Sequence, residues 1–339
     1  MVYIFVFLGE FGYELLNWQG VLRKFSRTLS RDDSIVCCSR ARVYPIYEFA
    51  DLYVDISDVA LYRCSRACCY SGTIGVGSPA RRVNRAFDAC LRAAVRSSVR
   101  RQLKSLRPGW TDRRVVFVFS SRRTEVRGVI FGCDPDRVER DADIDERLNV
   151  EANVYVRLQP DPAVRRTIEE RVGFDLEEPY ILVQTRSRRV GPQWGQLPST
   201  DAFIDALAKR SKVVLLSFRT GRALDSYSHF EEPWACSHYA GRSFPEQALL
   251  IHFARHCIFL TEGDVGSHLY VPPFLGKDVI AIVPGGLCGM WLPGIAHWNQ
   301  HVFRFGGQIV PRIAESVLIN RHEIEAFADG IGGALGAPK

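Results

Sequence analysis

No stretch of this chain approaches the roughly 18 consecutive apolar residues of a membrane-crossing helix. The apolar N-terminus has no basic residue ahead of it and runs directly into Gly9 and Glu10, so it reads as a first strand, not a secretory leader. A cytoplasmic address is expected. Among the ten cysteines, Cys37 and Cys38 are adjacent and Cys64, Cys68 and Cys69 cluster, but no C-x-x-C pair occurs. That excludes the usual zinc frame and a small secreted disulfide scaffold, and leaves small core residues. The glycine turn after the first strand has neither G-x-G-x-x-G nor G-K-[ST], so NAD and ATP chemistry are not indicated. The D-x-D at Asp141-Ala142-Asp143 lies in a charge-mixed segment between Arg140 and Ile144 instead of ending an apolar strand, which argues against a metal site. His252 and His256 are one helical turn apart, but Phe253 stands where a zinc protease needs Glu, so they are not read as ligands.

At 339 residues, 47% hydrophobic and 24% charged, the chain has the composition of a soluble globular protein with room for two ordinary domains. The formal net charge of +6 rests on arginine, since only six of the 44 basic residues are lysine. Arginine is the better bidentate phosphate ligand, but a bias of this breadth is assigned first to genomic base composition.

Val2 to Leu8 is a β-branched and aromatic run suited to a strand buried on both faces. The turn Gly9-Glu10-Phe11-Gly12-Tyr13-Glu14 then opens a helix carrying Leu15, Leu16, Trp18, Val21, Leu22 and Phe25. Ser34 to Cys38 predicts a second strand and Val43 to Phe49 the start of a helix, while Asp51 to Ser57 is ambiguous. Pro79 to Leu106 is a long helical pattern, with Val83, Phe87, Leu91, Val95, Val99 and Leu103 along one face and arginines on the other. The basic face reads as a solvated surface over a core stripe; docking on anionic membrane or nucleic acid is the alternative. Val115 to Ser120 predicts a strand, the acidic segment 134–151 an exposed loop, and Asn153 to Leu158 a short strand ahead of a Pro-rich connection. Tyr180 to Gln184 opens a second α/β unit and ends in Thr185-Arg186-Ser187-Arg188-Arg189. A helix at Thr200 to Arg210 and a strand at Val213 to Ser217 follow. Gly285 to Gly294, with Trp291 and Trp298 nearby, reads as irregular, and Ala314 to Ala328 as a terminal helix.

From Phe244 to Pro284 the pattern is helix, strand, tight loop, helix, strand. Pro245, first-turn Glu246 and the apolar face of Leu249, Leu250, Phe253 and Ala254 mark the helix. Cys257 to Leu260 is a short buried strand. The turn from Thr261 to His268 then sits where open α/β sheets place ligands, because the N–H groups opening the next helix suit phosphate. Gly263 and Gly266 would serve an ordinary βα loop equally well. The stretch resembles the C-terminal donor-binding module of GT-B glycosyltransferases, especially the bacterial heptosyltransferase-like group. That group shows L-x-E-x-x-x-L-I-x-x-A, then D-S-G-x-x-H-L-A, then G-K-P-V-I-A. The matches are Glu246, Leu250, Ile251 and Ala254, then Asp264, Gly266, His268 and Leu269, then Gly276, Lys277, Val279, Ile280 and Ala281. Val265 replaces the group's Ser, His268 comes one residue early, and Asp278 stands where Pro is usual.

The resemblance implies two Rossmann-like α/β domains facing a cleft: an acceptor-side domain at 1–158, a connection at 159–178, a nucleotide-sugar-binding domain at 179–312, and a helix and tail at 313–339. It implies an inverting, metal-independent glycosyltransferase that moves a sugar from a nucleotide diphosphate sugar to a hydroxyl-bearing glycan, lipid-linked or other acceptor. Glu14 or Glu10 then serves as the acceptor's base, with Gly12 beside them. The alternatives are a first-turn acid on a helix dipole for Glu14 and a solvated loop residue for Glu10. Arg186 and Arg188 take up charge on the departing diphosphate, and Gln184, Ser217, Glu262, Asp264, Gly266, Ser267 and His268 complete the donor site. Neither a cofactor nor a metal is expected, and peripheral contact with anionic membrane is compatible with a cytoplasmic protein. Two other readings stay open: a nucleotide-sugar epimerase or hydrolase of the same fold, and a non-catalytic protein binding nucleic acid or another polyanion.

Overall fold

Alternation along the first strand decides how the first unit is layered. In the computed structural model β1 (Val2–Val6), β2 (Ser34–Ser39), β3 (Leu52–Asp55) and β4 (Val115–Phe119) form a parallel sheet in the order β3-β2-β1-β4. Successive side chains of a strand point to opposite faces. Tyr3 and Phe5 meet Phe25 of α1 (Gln19–Ser26) edge-on at 5.1 and 5.2 Å, and Trp18, just ahead of that helix, packs on Phe5 and Phe7 at 6.2 and 5.9 Å. Val2, Ile4 and Val6 face the other way, into a core closed by Leu91, Val95, Val99 and Leu103 of α2 (Ala80–Leu106). Four-residue spacing keeps that stripe on one helical face, and each such side chain contributes about 1.5–3 kcal/mol over leaving it exposed.

The structure describes residues 1–8, 14–40, 43–62, 80–110, 112–119, 153–186, 200–209, 211–217, 228–231, 244–261, 269–284, 288–314, 326 and 329. Two compact units divide between Tyr155 and Val156. Among the described residues no helix is long and apolar enough to cross a membrane.

The second unit holds α3 (Arg165–Val172), β5 (Tyr180–Arg186), α4 (Thr200–Ala208), β6 (Lys212–Ser217), β7 (Ser228–Glu231), α5 (Phe244–Phe253), β8 (His256–Thr261), α6 (Val271–Phe274), β9 (Val279–Pro284), α7 (Cys288–His301) and β10 (Ile309–Ala314). All six strands are parallel, in the order β10-β9-β8-β5-β6-β7. Counted from β5, this is the doubly wound order 3-2-1-4-5-6, with the winding reversing between β5 and β8. Ile181 and Val183 pack on Phe203 and Leu207 of α4. The Tyr180 hydroxyl donates to the Leu250 carbonyl of α5 at 2.5 Å. Both units are therefore α/β and Rossmann-like, as expected.

Several local expectations fail for identifiable reasons. The helix predicted at Val43 to Phe49 is a single 3-10 turn, Tyr44–Tyr47, and the ambiguous segment after it supplies β3. The strand predicted at Asn153 to Leu158 does not form. Val154 N–H donates to the Gly20 carbonyl and Leu158 N–H to that of Phe274, single bonds that satisfy extended backbone without a ladder. The segment read as irregular after Pro284 is helical from Cys288. Trp291, Ile295, Trp298 and Val302 recur at helical spacing and are buried, and their packing outweighs Pro293 inside the helix. Ala314 ends β10 and so does not begin the expected terminal helix, while 315–325 lie outside the described residues. Gly276 follows α6 at φ +75°, where a Cβ would stand 2.8 Å from the Arg157 guanidinium.

Candidate functional site

The reversal between β5 and β8 places two chain segments from the sequence reading side by side. In the parallel register Gln184 is opposite Phe259, Thr185 opposite Leu260 and Arg186 opposite Thr261, so the loops after Arg186 and Thr261 leave adjacent points on the sheet's carboxyl edge. Open α/β sheets bind ligands there because no crossover covers that edge. Gln184 is fully buried on β5, with Leu216 as its neighbour on β6. The side chains of Arg186 and Ser217 lie outside the described residues, as do Gly12, Arg188, Glu262, Asp264, Gly266, Ser267 and His268 altogether. Glu246 of the resembling motif is buried and lies 3.5 Å from Arg171, so it ties α5 to α3.

Glu14 is an acid of the first turn and is buried. The chain enters its first helix through a π turn, Glu14–Trp18, and Glu14 has no exposed surface. Its Oε1 accepts from the Tyr47 hydroxyl at 2.6 Å, and its Oε2 lies 3.3 Å from Nε of Arg40, itself only 5% exposed. Arg40 directly follows β2, its guanidinium lies over Phe7, and its carbonyl accepts from the Tyr53 hydroxyl. Burial opposes the charge on Arg40, but Tyr62 and Glu14 beside it raise its pKa, so it stays protonated. Burial, then the Glu14 charge, pushes the Tyr47 and Tyr53 phenols well up, and both act as donors. Cys37 and Cys38 are likewise raised by burial, which makes them inert thiols.

A second chain of bonds fixes the same corner. At the start of α1, Gln19 Nε2 donates to the Leu15 carbonyl of the π turn at 3.0 Å, and Gln19 Oε1 accepts from Arg23 at 2.9 Å. Arg23 grips Glu48 through two bonds of 2.6 Å and donates to the Ile46 carbonyl at 2.9 Å. The 3-10 turn that presents Tyr47 to Glu14 is thereby tied to α1. Glu10 adjoins this corner in sequence but lies outside the described residues.

The arginine face of α2 is partly used within its own unit. Arg92, Arg96 and Arg100 lie over the rings of Phe119 and Phe117 on the edge strand β4, at 5.0 to 5.9 Å. Arg40, Tyr47 and Gln19 were absent from the sequence reading. Only Arg40 had a usable signal, its position just past the carboxyl end of a strand.

The fold and these two corners define a protein of two doubly wound α/β units, each with polar groups at the carboxyl end of its sheet. The chain is similar in structure to E. coli ADP-heptose LPS heptosyltransferase II, with a TM-score of 0.49, 9% identity, and coverage of 99% of this chain and 98% of that one. It is similar also to a glycosyl transferase family 9 protein from Veillonella parvula DSM 2008, with a TM-score of 0.49, 10% identity, and coverage of 98% and 96%. A third likeness is to E. coli heptosyltransferase WaaC with ADP, with a TM-score of 0.45, 10% identity, and coverage of 97% and 99%. No protein-family model matches the chain, and neither does any curated protein.

Proposed function

We propose that this protein is an inverting, metal-independent glycosyltransferase that moves a sugar from a nucleotide diphosphate sugar to an acceptor hydroxyl. The observation that carries the reading is the winding reversal between β5 and β8. It sets Arg186 opposite Thr261, where the chain enters the glycine-bearing turn 262–268 that resembles a nucleotide-sugar loop. The loop cations of that edge take up the charge of the departing diphosphate.

The acceptor's base comes from the turn between β1 and α1. A general base has to reach the hydroxyl it deprotonates, whereas Glu14 has no exposed surface and is engaged by Tyr47 and Arg40. Glu10 is therefore assigned as the base and Glu14 as the anchor that positions its turn.

A thermal-shift screen with ADP, GDP, UDP, CMP and dTDP tests donor binding, since a ligand at a hundred times its Kd stabilises by about 2.7 kcal/mol. Absence of a shift with every nucleotide removes the reading. For the base, Glu10→Gln should lower kcat by about 10² to 10⁴ at unchanged Tm, while Glu14→Gln should lower Tm. Loss of turnover in Glu14→Gln at wild-type Tm would return the base to Glu14. Turnover should survive EDTA; loss on chelation with recovery on manganese addition refutes metal independence.

A further inference from the structure

We propose that His297 and His301 form a two-histidine site for a divalent transition metal, copper(II) or nickel(II), on the outer face of α7. The residues stand at i and i+4, the spacing that places two side chains on one helical face and that helical metal sites use. Their ring centres are 4.5 Å apart, with planes inclined at 41°.

Packing holds this face outward. Asn299, midway between them, turns toward β10: its amide donates to the Ile309 carbonyl at 2.8 Å and accepts from Ile309 N–H at 2.9 Å. Two residues correspond to about 200° around a helix, so both histidines lie on the side away from β10. His301 is exposed and His297 half-buried, while buried Ile295 and Trp298 hold the helix to the core.

Ring centres 4.5 Å apart put both imidazoles within reach of one ion. Imidazole nitrogen suits first-row divalent metals, with copper(II) bound more tightly than nickel(II). Among the described residues no group of three or more His, Cys, Asp or Glu could hold a metal ion, so the site proposed is this pair alone. The inference does not depend on the proposed glycosyl transfer.

Nickel(II) titrated into the full chain by calorimetry is the test, with circular dichroism confirming that each variant is folded. Removing one imidazole turns a chelate into a single contact, so His301→Ala and His297→Ala should each weaken the site about 10²-fold. Superimposable isotherms for wild type and the double variant H297A/H301A would overturn the site.

Discussion

Replacing Arg40 by Met tests whether the Glu14 corner is held by charge. The Arg40 Nε to Glu14 Oε2 separation is 3.3 Å, Glu14 has no exposed surface and Arg40 only 5%. Water cannot take over either charge without the corner opening. Removing one partner of a buried pair costs about 3–5 kcal/mol, because the survivor stays buried without the opposite charge. For domains of 150–250 residues each kcal/mol moves Tm by about 2–4 °C, so Arg40→Met should lower it by roughly 6–20 °C. Glu14→Gln keeps an acceptor for the Tyr47 hydroxyl but removes the charge facing Arg40, so its loss should be of similar size. The double variant E14Q/R40M removes both charges, and a neutral pair of similar volume is often no less stable than the ion pair it replaces. It should therefore be more stable than either single variant, with a coupling of at least about 3 kcal/mol. Urea unfolding followed by fluorescence reads this out, since Trp18 is buried against Phe5 and Phe7 in the same unit. Additive losses, or single-variant losses below about 1 kcal/mol as at an exposed pair, would refute the argument.

Arg186→Ala should weaken nucleoside diphosphate binding about ten- to a hundredfold and nucleoside binding little, because a charge-assisted hydrogen bond is worth about 1.5–3 kcal/mol; equal losses in calorimetry place this arginine away from the phosphates. Gly307→Ala should destabilise the second unit by about 1–3 kcal/mol, because its Cβ would meet the backbone N and O of Lys277 at 2.6 Å and backbone cannot swing aside; a wild-type urea midpoint contradicts that. His252 is held below its ordinary 6.5 by burial and then by Lys277 and Arg157. The unfolded chain thus binds this proton more readily, and the stability it contributes above 6.5 is lost as pH falls below that value. His252→Asn should flatten the decline in urea midpoint from pH 7.5 to 5.5, and an unchanged slope speaks against the shift.

Hydrophobic patterning determined the elements that bury whole faces. The run from Val2, the stripe Leu91, Val95, Val99 and Leu103, and the strand at Tyr180 are each dictated by local periodicity, so they were legible without tertiary contacts. Glycine and proline misled where packing dominated: α7 forms because Trp291, Ile295, Trp298 and Val302 are buried together, a gain no local propensity contains. Edge strands of four to six residues such as β7 and β10 carry too short a pattern to stand out, and pairing with a neighbour defines them. The candidate site divides in the same way. That a loop follows Arg186 and another follows Thr261 was written in the sequence; that they leave adjacent points on one edge was decided by the strand order. Glu14 could be named from its place after a glycine turn. Its partners could not, because Tyr47 and Arg40 reach it from 33 and 26 residues further along the chain, and only the fold closes those distances.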